Sequence, residues 1–108
     1  MIKITRESAW CGKFIGANVT LNRTQTQKIR NGESKYFETS PKQQNALLQI
    51  SCAGVLGTYN LTQVQNIEEI AFKITASDVI CNALYKDGGT EYLHNQTPPP
   101  MTFVGWQF

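Results

Sequence analysis

The sequence predicts an all-β domain, a single antiparallel sandwich or partly open barrel of about seven to nine short strands. Three observations carry this. Several stretches alternate apolar and polar residues with period two, clearest where Ile15, Ala17, Val19 and Leu21 oppose Gly16, Asn18, Thr20 and Asn22. Turn signals punctuate the chain at Asn31-Gly32, Ser40-Pro41, Ala53-Gly54 and Asp87-Gly88-Gly89. Finally, 108 residues with 41% hydrophobic and 17% charged content make one domain able to bury a core unaided, with strand surfaces covered mainly by neutral polar groups.

Taken in order, Met1 to Arg6 sets Ile2 and Ile4 against Lys3 and Thr5, a first strand with one buried face. Ser8 to Gly12 is a turn holding Trp10, and Phe14 to Asn22 is the next strand. The centre of the chain runs from Thr26 to Cys52. Asn31-Gly32 suits a type I′ turn, which needs φ > 0 at both central residues, and so predicts a hairpin between Gln27–Arg30 and Ser34–Glu38. Ser40-Pro41 closes that hairpin, and Ala46 to Cys52 follows with Leu48, Ile50 and Cys52 on one face. Val55 to Leu61 is a strand in which Gly57 marks a bulge. Gln63 to Thr75 reads as strand from the alternation of Ile70, Phe72 and Ile74, although Asn66 with Glu69 also has the spacing of a capping box. Val79 to Lys86 shares the ambiguity. The Asp87-Gly88-Gly89 turn and the β-formers of Thr90 to His94 favour a hairpin there. The expected core centres on Ile4, Val19, Leu21, Leu48, Ile50, Phe72 and Ile74.

Residues 1–97 therefore form the domain, and Pro98-Pro99-Pro100 opens a separate segment, 98–108. Three consecutive prolines favour polyproline II and cannot lie inside a sheet. The following Met101 to Phe108 is apolar enough to dock as an edge strand, on its own domain or a neighbour's, with Trp106 as anchor.

The residues give little chemistry. His94 is the sole histidine, which removes most general-base and metal options together, and no nucleophile motif of the G-x-S-x-G kind occurs. Glu68 and Glu69 are adjacent, so on a strand they point to opposite faces and make a poor carboxylate dyad. Cys11, Cys52 and Cys81 form an odd set without C-x-x-C spacing, which speaks against a zinc site or a paired disulfide framework. No phosphate-binding glycine loop is present, and no cofactor is implied. A net charge of +2, with Lys28, Arg30 and Lys35 beside one turn and the other cations scattered, excludes a nucleic-acid footprint. No stretch has the length of a membrane span, and neither nucleic acid nor membrane is expected as a partner. Aromatic residues are the class able to carry binding: Trp106, Phe108, Phe103 and Tyr36 are the candidate contact residues.

The pattern from Gly16 to Gly54, GANVTLN…QKIRNGESKYFETSP…LLQISCAG, resembles the PEGA-like class of small bacterial β domains. It departs from that class after Pro41, where Lys42-Gln43-Gln44 stands in place of the customary Pro-Gly. The resemblance implies a non-catalytic interaction module and supplies no catalytic residue. The expected function is thus a non-enzymatic protein-binding or structural accessory module, with homo-oligomerisation through a strand edge or the C-terminal segment as one route. The alternatives are a small-ligand binder or small enzyme built around His94 and the Asp87 turn, and a phage or mobile-element inhibitor. The N-terminal MIKITRES carries no apolar leader, which points to the cytoplasm, whereas four N-x-Thr sequons at Asn18, Asn22, Asn60 and Asn95 would suit a secreted protein whose leader had been removed.

Overall fold

Hydrophobic alternation with period two leaves each strand one apolar face, and two such sheets bury those faces against each other. The computed structural model describes residues 1–97. Within them the strands are β1 (Ile2–Arg6), β2 (Ala17–Leu21), β3 (Gln25–Ile29), β4 (Ser34–Phe37), β5 (Ala46–Cys52), β6 (Val55–Leu61), β7 (Ile67–Ile74), β8 (Val79–Tyr85) and β9 (Thr90–Leu93). One sheet has the order β4-β1-β7-β8-β9, the other β3-β2-β5-β6. Every pairing is antiparallel except β1 with β7. The fold is therefore the all-β, sandwich-like architecture that the sequence predicts. Ile4, Val19, Leu21, Leu48, Ile50, Phe72 and Ile74 are all buried in one core, joined by Phe37, Tyr59 and Cys81.

The segment around Asn31-Gly32 differs from the expected hairpin. β3 pairs with β2 and β4 pairs with β1, so the turn carries the chain from one sheet to the other. Only Gly32 has positive φ (78°), and the Glu33 N–H closes onto the Arg30 carbonyl at 2.9 Å. That is the pattern of a type II turn, not of the type I′ turn that would fold β4 back beside β3. Local turn chemistry marks where the chain bends, while the pairing partner is decided by which face must be buried.

The second strand begins at Ala17, three residues later than the alternation suggests. Phe14 and Ile15 belong to a loop, and both are exposed. Gly12 (φ 64°) turns the chain, and Lys13 and Ile15 donate their N–H groups to the carbonyls of Trp10 and Gly12. Those local bonds compete with the ladder.

Gln63 to Thr75 resolves into a 3₁₀ turn, Val64–Asn66, followed by strand β7. The register shift in this part of the sheet lies between Ile67 and Glu69. β6 keeps an unbroken register with β5 through Gly57. The glycine makes room instead: a Cβ there would lie 2.8 Å from Tyr59 Cε2 and 3.1 Å from Val79 Cβ. The space holds the Tyr59 ring, whose hydroxyl donates to the buried Val79 carbonyl at 2.6 Å and ties β6 to β8 across the sandwich. Gly57→Ala should therefore overpack the core and cost about 1–3 kcal/mol of stability in a urea titration, with an unchanged far-UV spectrum.

Candidate interaction surfaces

Arg6 ends β1 with its side chain on the core face of the strand, and it is fully buried. Among the described residues it makes no ion pair, and the one salt bridge joins Lys3 to Glu69 at 3.7 Å. Its terminal nitrogens donate to carbonyl oxygens. Nη1 donates to Ile15 O at 2.7 Å and Ile29 O at 3.2 Å, and Nη2 donates to Gly12 O at 2.8 Å. Nε has no hydrogen-bond partner among the described residues. Ile29 is the last residue of β3 in the opposite sheet, while Gly12 and Ile15 lie in the β1–β2 loop. One planar cation thus joins both sheets and folds the loop over the open end of the sandwich, a task suited to its fixed fork of donors. The loop is further held where the Ala9 N–H donates to Asn31 Oδ1 at 2.9 Å and the Cys52 thiol donates to Ile15 O at 3.5 Å.

The loop so fixed presents two large aromatic groups to water. Trp10 is 84% exposed and Phe14 is 91% exposed. The Lys13 ammonium lies 4.6 Å from the Trp10 ring centroid and 5.5 Å from that of Phe14.

The edges of the two sheets are treated unequally. Beside β4, glutamine side chains of β3 stand in for a neighbouring strand, since a primary amide carries the same donor and acceptor as a peptide group. Gln27 Nε2 donates to Tyr36 O at 2.7 Å. Gln25 Nε2 donates to Glu38 O, and Gln25 Oε1 accepts from the Glu38 N–H at 2.9 Å. On β6, Asn95 does the same: Oδ1 accepts from the Thr58 N–H at 3.0 Å and Nδ2 donates to Leu56 O at 3.0 Å. The next residue, Gln96, donates its N–H to Thr58 O at 2.7 Å.

Among the described residues, no side chain covers β9 in this way. Tyr85 N–H bonds Gly89 O at 2.8 Å, which sets the phase of the β8–β9 ladder. With Ala83 opposite Glu91 and Cys81 opposite Leu93 as the hydrogen-bonded pairs, the backbone groups of Thr90 and Tyr92 point away from the sheet. They have no hydrogen-bond partner among the described residues. Tyr92 is half exposed, and its ring meets His94 edge-on at a centroid distance of 5.2 Å.

Of the residues singled out from sequence, Tyr36 is exposed on β4, and its carbonyl is occupied by Gln27. Phe103, Trp106 and Phe108, and the docking of segment 98–108, lie outside the described residues. His94 follows β9 and the Asp87 turn precedes it, so the strand separates them. The hollow of about 410 Å³ at that turn is lined by Gln63, Asn66, Tyr85, Lys86, Asp87, Gly89 and Thr90, without His94. Among the described residues no three His, Cys, Asp or Glu side chains gather as a metal site, and no helix is long and apolar enough to cross a membrane. The sequence reading passed over Arg6, Trp10, Phe14 and Asn95. The signal for Arg6 was available: it occupies the buried parity of an Ile-Lys-Ile-Thr-Arg strand.

All three cysteines are free. Burial pushes the Cys81 thiol up from 9.0 to about 12. A hydrogen bond to Glu91 and partial burial raise the Tyr85 hydroxyl to about 12, and burial is the first cause of the upward shift at Tyr59.

The chain matches no protein-family model, no curated protein and no solved structure.

Two outcomes are expected. Arg6→Lys replaces a fork of donors by a single ammonium that cannot span three carbonyls, and should cost about 3 kcal/mol in urea denaturation while speeding hydrogen exchange at the Lys13 and Ile15 amides. For Cys81, the raised native pKa means that above pH 9 the unfolded chain loses a proton that the folded chain keeps. Stability should therefore be fully present below that pH and fall as pH rises towards 12, and Cys81→Ala should flatten the slope of the urea midpoint against pH.

Proposed function

We propose that this protein is a non-enzymatic protein-binding module that takes an extended segment of its partner as an added strand on β9. The observation that carries this is the contrast between edges. On β4 and β6 part of the outward backbone is capped, Tyr36 O by Gln27, Leu56 O by Asn95 and both groups of Thr58 by Asn95 and Gln96, whereas neither group of Thr90 nor of Tyr92 has a partner among the described residues. An exposed row of backbone donors and acceptors is the requirement for strand addition, and proteins otherwise cover it. Side-chain specificity would come from the sheet face beside this edge. Tyr92 lies opposite Asn82 there, with exposed Ile80 on the same strand as Asn82. The separation of His94 from the Asp87 turn favours this reading over a small enzyme or ligand binder built on the two.

A photo-crosslinking residue placed at Tyr92 should trap a partner protein in the native cell extract, and the same residue at Leu56, exposed on β6 where Asn95 caps the edge, should not. Tyr92→Pro removes one outward N–H without removing a ladder bond. It should lower that capture about ten-fold while leaving the folded state populated. Equal capture from Tyr92 and Leu56 would refute the assignment of this edge.

A further inference from the structure

The β1–β2 loop lies at another place in the fold and is independent of β9. Aromatic residues left in water on a mobile loop need no explanation, but here the loop is immobilised. A buried arginine binds two of its carbonyls, and an asparagine and two internal bonds hold the rest. The fixed conformation turns Trp10, Phe14 and Ile15 outward, the last 51% exposed. Cations surround them. Lys13 sits against both rings, and Lys28 packs its methylenes where a Cβ on Gly16 would be, beside Ile15. Arg30 is exposed at the turn that Asn31 bonds to the loop. The carboxylates at this end of the sheets include Glu7, which follows β1, Glu33, whose Oε1 accepts from the Arg30 N–H at 3.0 Å, and Asp78, which precedes β8 and whose Oδ1 accepts from the Val79 N–H and Asn95 Nδ2.

We propose that this end of the sandwich docks on the surface of an anionic phospholipid bilayer. Trp10 and Phe14 enter at the headgroup level, and Lys13, Lys28 and Arg30 face the lipid phosphates. The chemistry fits an interface rather than a pocket. Indole and phenyl groups partition to the headgroup region, long cationic side chains reach from apolar surroundings to phosphate, and a protruding tip needs no complementary cavity. Because Arg6 has already ordered the loop, insertion carries little further loss of backbone freedom. The sequence-based expectation of no membrane partner came from the lack of a spanning segment, and lying on a bilayer does not require one.

The test uses the full chain with Trp106→Phe, so that Trp10 is its one indole. Vesicles of phosphatidylcholine alone are compared with vesicles containing about 30% phosphatidylglycerol. On the anionic vesicles the protein should co-sediment, shift its tryptophan emission to the blue and be quenched by lipids brominated near the headgroup. Trp10→Ala with Phe14→Ala should reduce bound protein about ten-fold at unchanged melting temperature, and raising the salt or introducing Lys13→Glu should also reduce it. Three results would overturn the proposal: no binding to anionic vesicles, binding that the double variant leaves unchanged, or capture of a protein by a crosslinker at Phe14 without vesicle binding. The brominated-lipid readout requires no substitution in the loop, so it stands even if a loop variant misfolds.

Discussion

The structure depends on a cation buried, among the described residues, without a counter-ion. Removing a guanidinium from water costs several kcal/mol, which carbonyl oxygens offset only if they are held in place. Around Arg6 they come from three separated parts of the chain, Gly12, Ile15 and Ile29. Each hydrogen bond therefore constrains a different segment: the two bends of the β1–β2 loop and the end of β3. Moving any of these away would leave part of a buried charge without its acceptor. This coupling explains why the loop is ordered although Trp10, Phe14 and Ile15 are exposed and Cys11 packs only partly buried against the core.

The same economy appears at the sheet edges. Charge is scarce in this chain, and the edge-protecting devices are amides: Gln25 and Gln27 on one side, Asn95 on the other. A carboxylate or ammonium could satisfy a donor or an acceptor, but not both. An amide copies the peptide group and closes the edge as a strand would. The abundance of Asn and Gln, which from composition is only a surface property, is in part the covering of these edges. Of the four sequon asparagines, Asn95 is engaged in this way, while Asn22 Oδ1 accepts from the Leu47 N–H and extends the interior β2–β5 ladder.

Much of the fold was legible because period-two alternation is a local property. β1, β5, β6, β8 and β9 fall where the pattern puts them, and the expected core residues are buried. The pairing of β3 and β4 was not legible. Asn-Gly signals a tight turn, but type II and type I′ turns send the following strand to different neighbours, and the sequence around Asn31 suits both. Phe14 and Ile15 continue an apolar alternation, so their place in a loop depends on an arginine eight residues upstream of Phe14, a contact that periodicity cannot express. The candidate surfaces were harder still. An open edge is recognised only by comparison with edges that are closed, which requires knowing which strands are outermost.

The two surfaces also differ in what holds them. The backbone groups of Thr90 and Tyr92 need only a regular ladder to β8, so strand addition there would extend structure already present. The Trp10 loop has no ladder and owes its shape to Arg6 and a few hydrogen bonds. A core change that shifts β8 would thus disturb the edge and spare the loop, and a change at Arg6 would do the opposite. Because they rest on different interactions, the two surfaces can change separately, and a substitution that abolishes one function need not weaken the other.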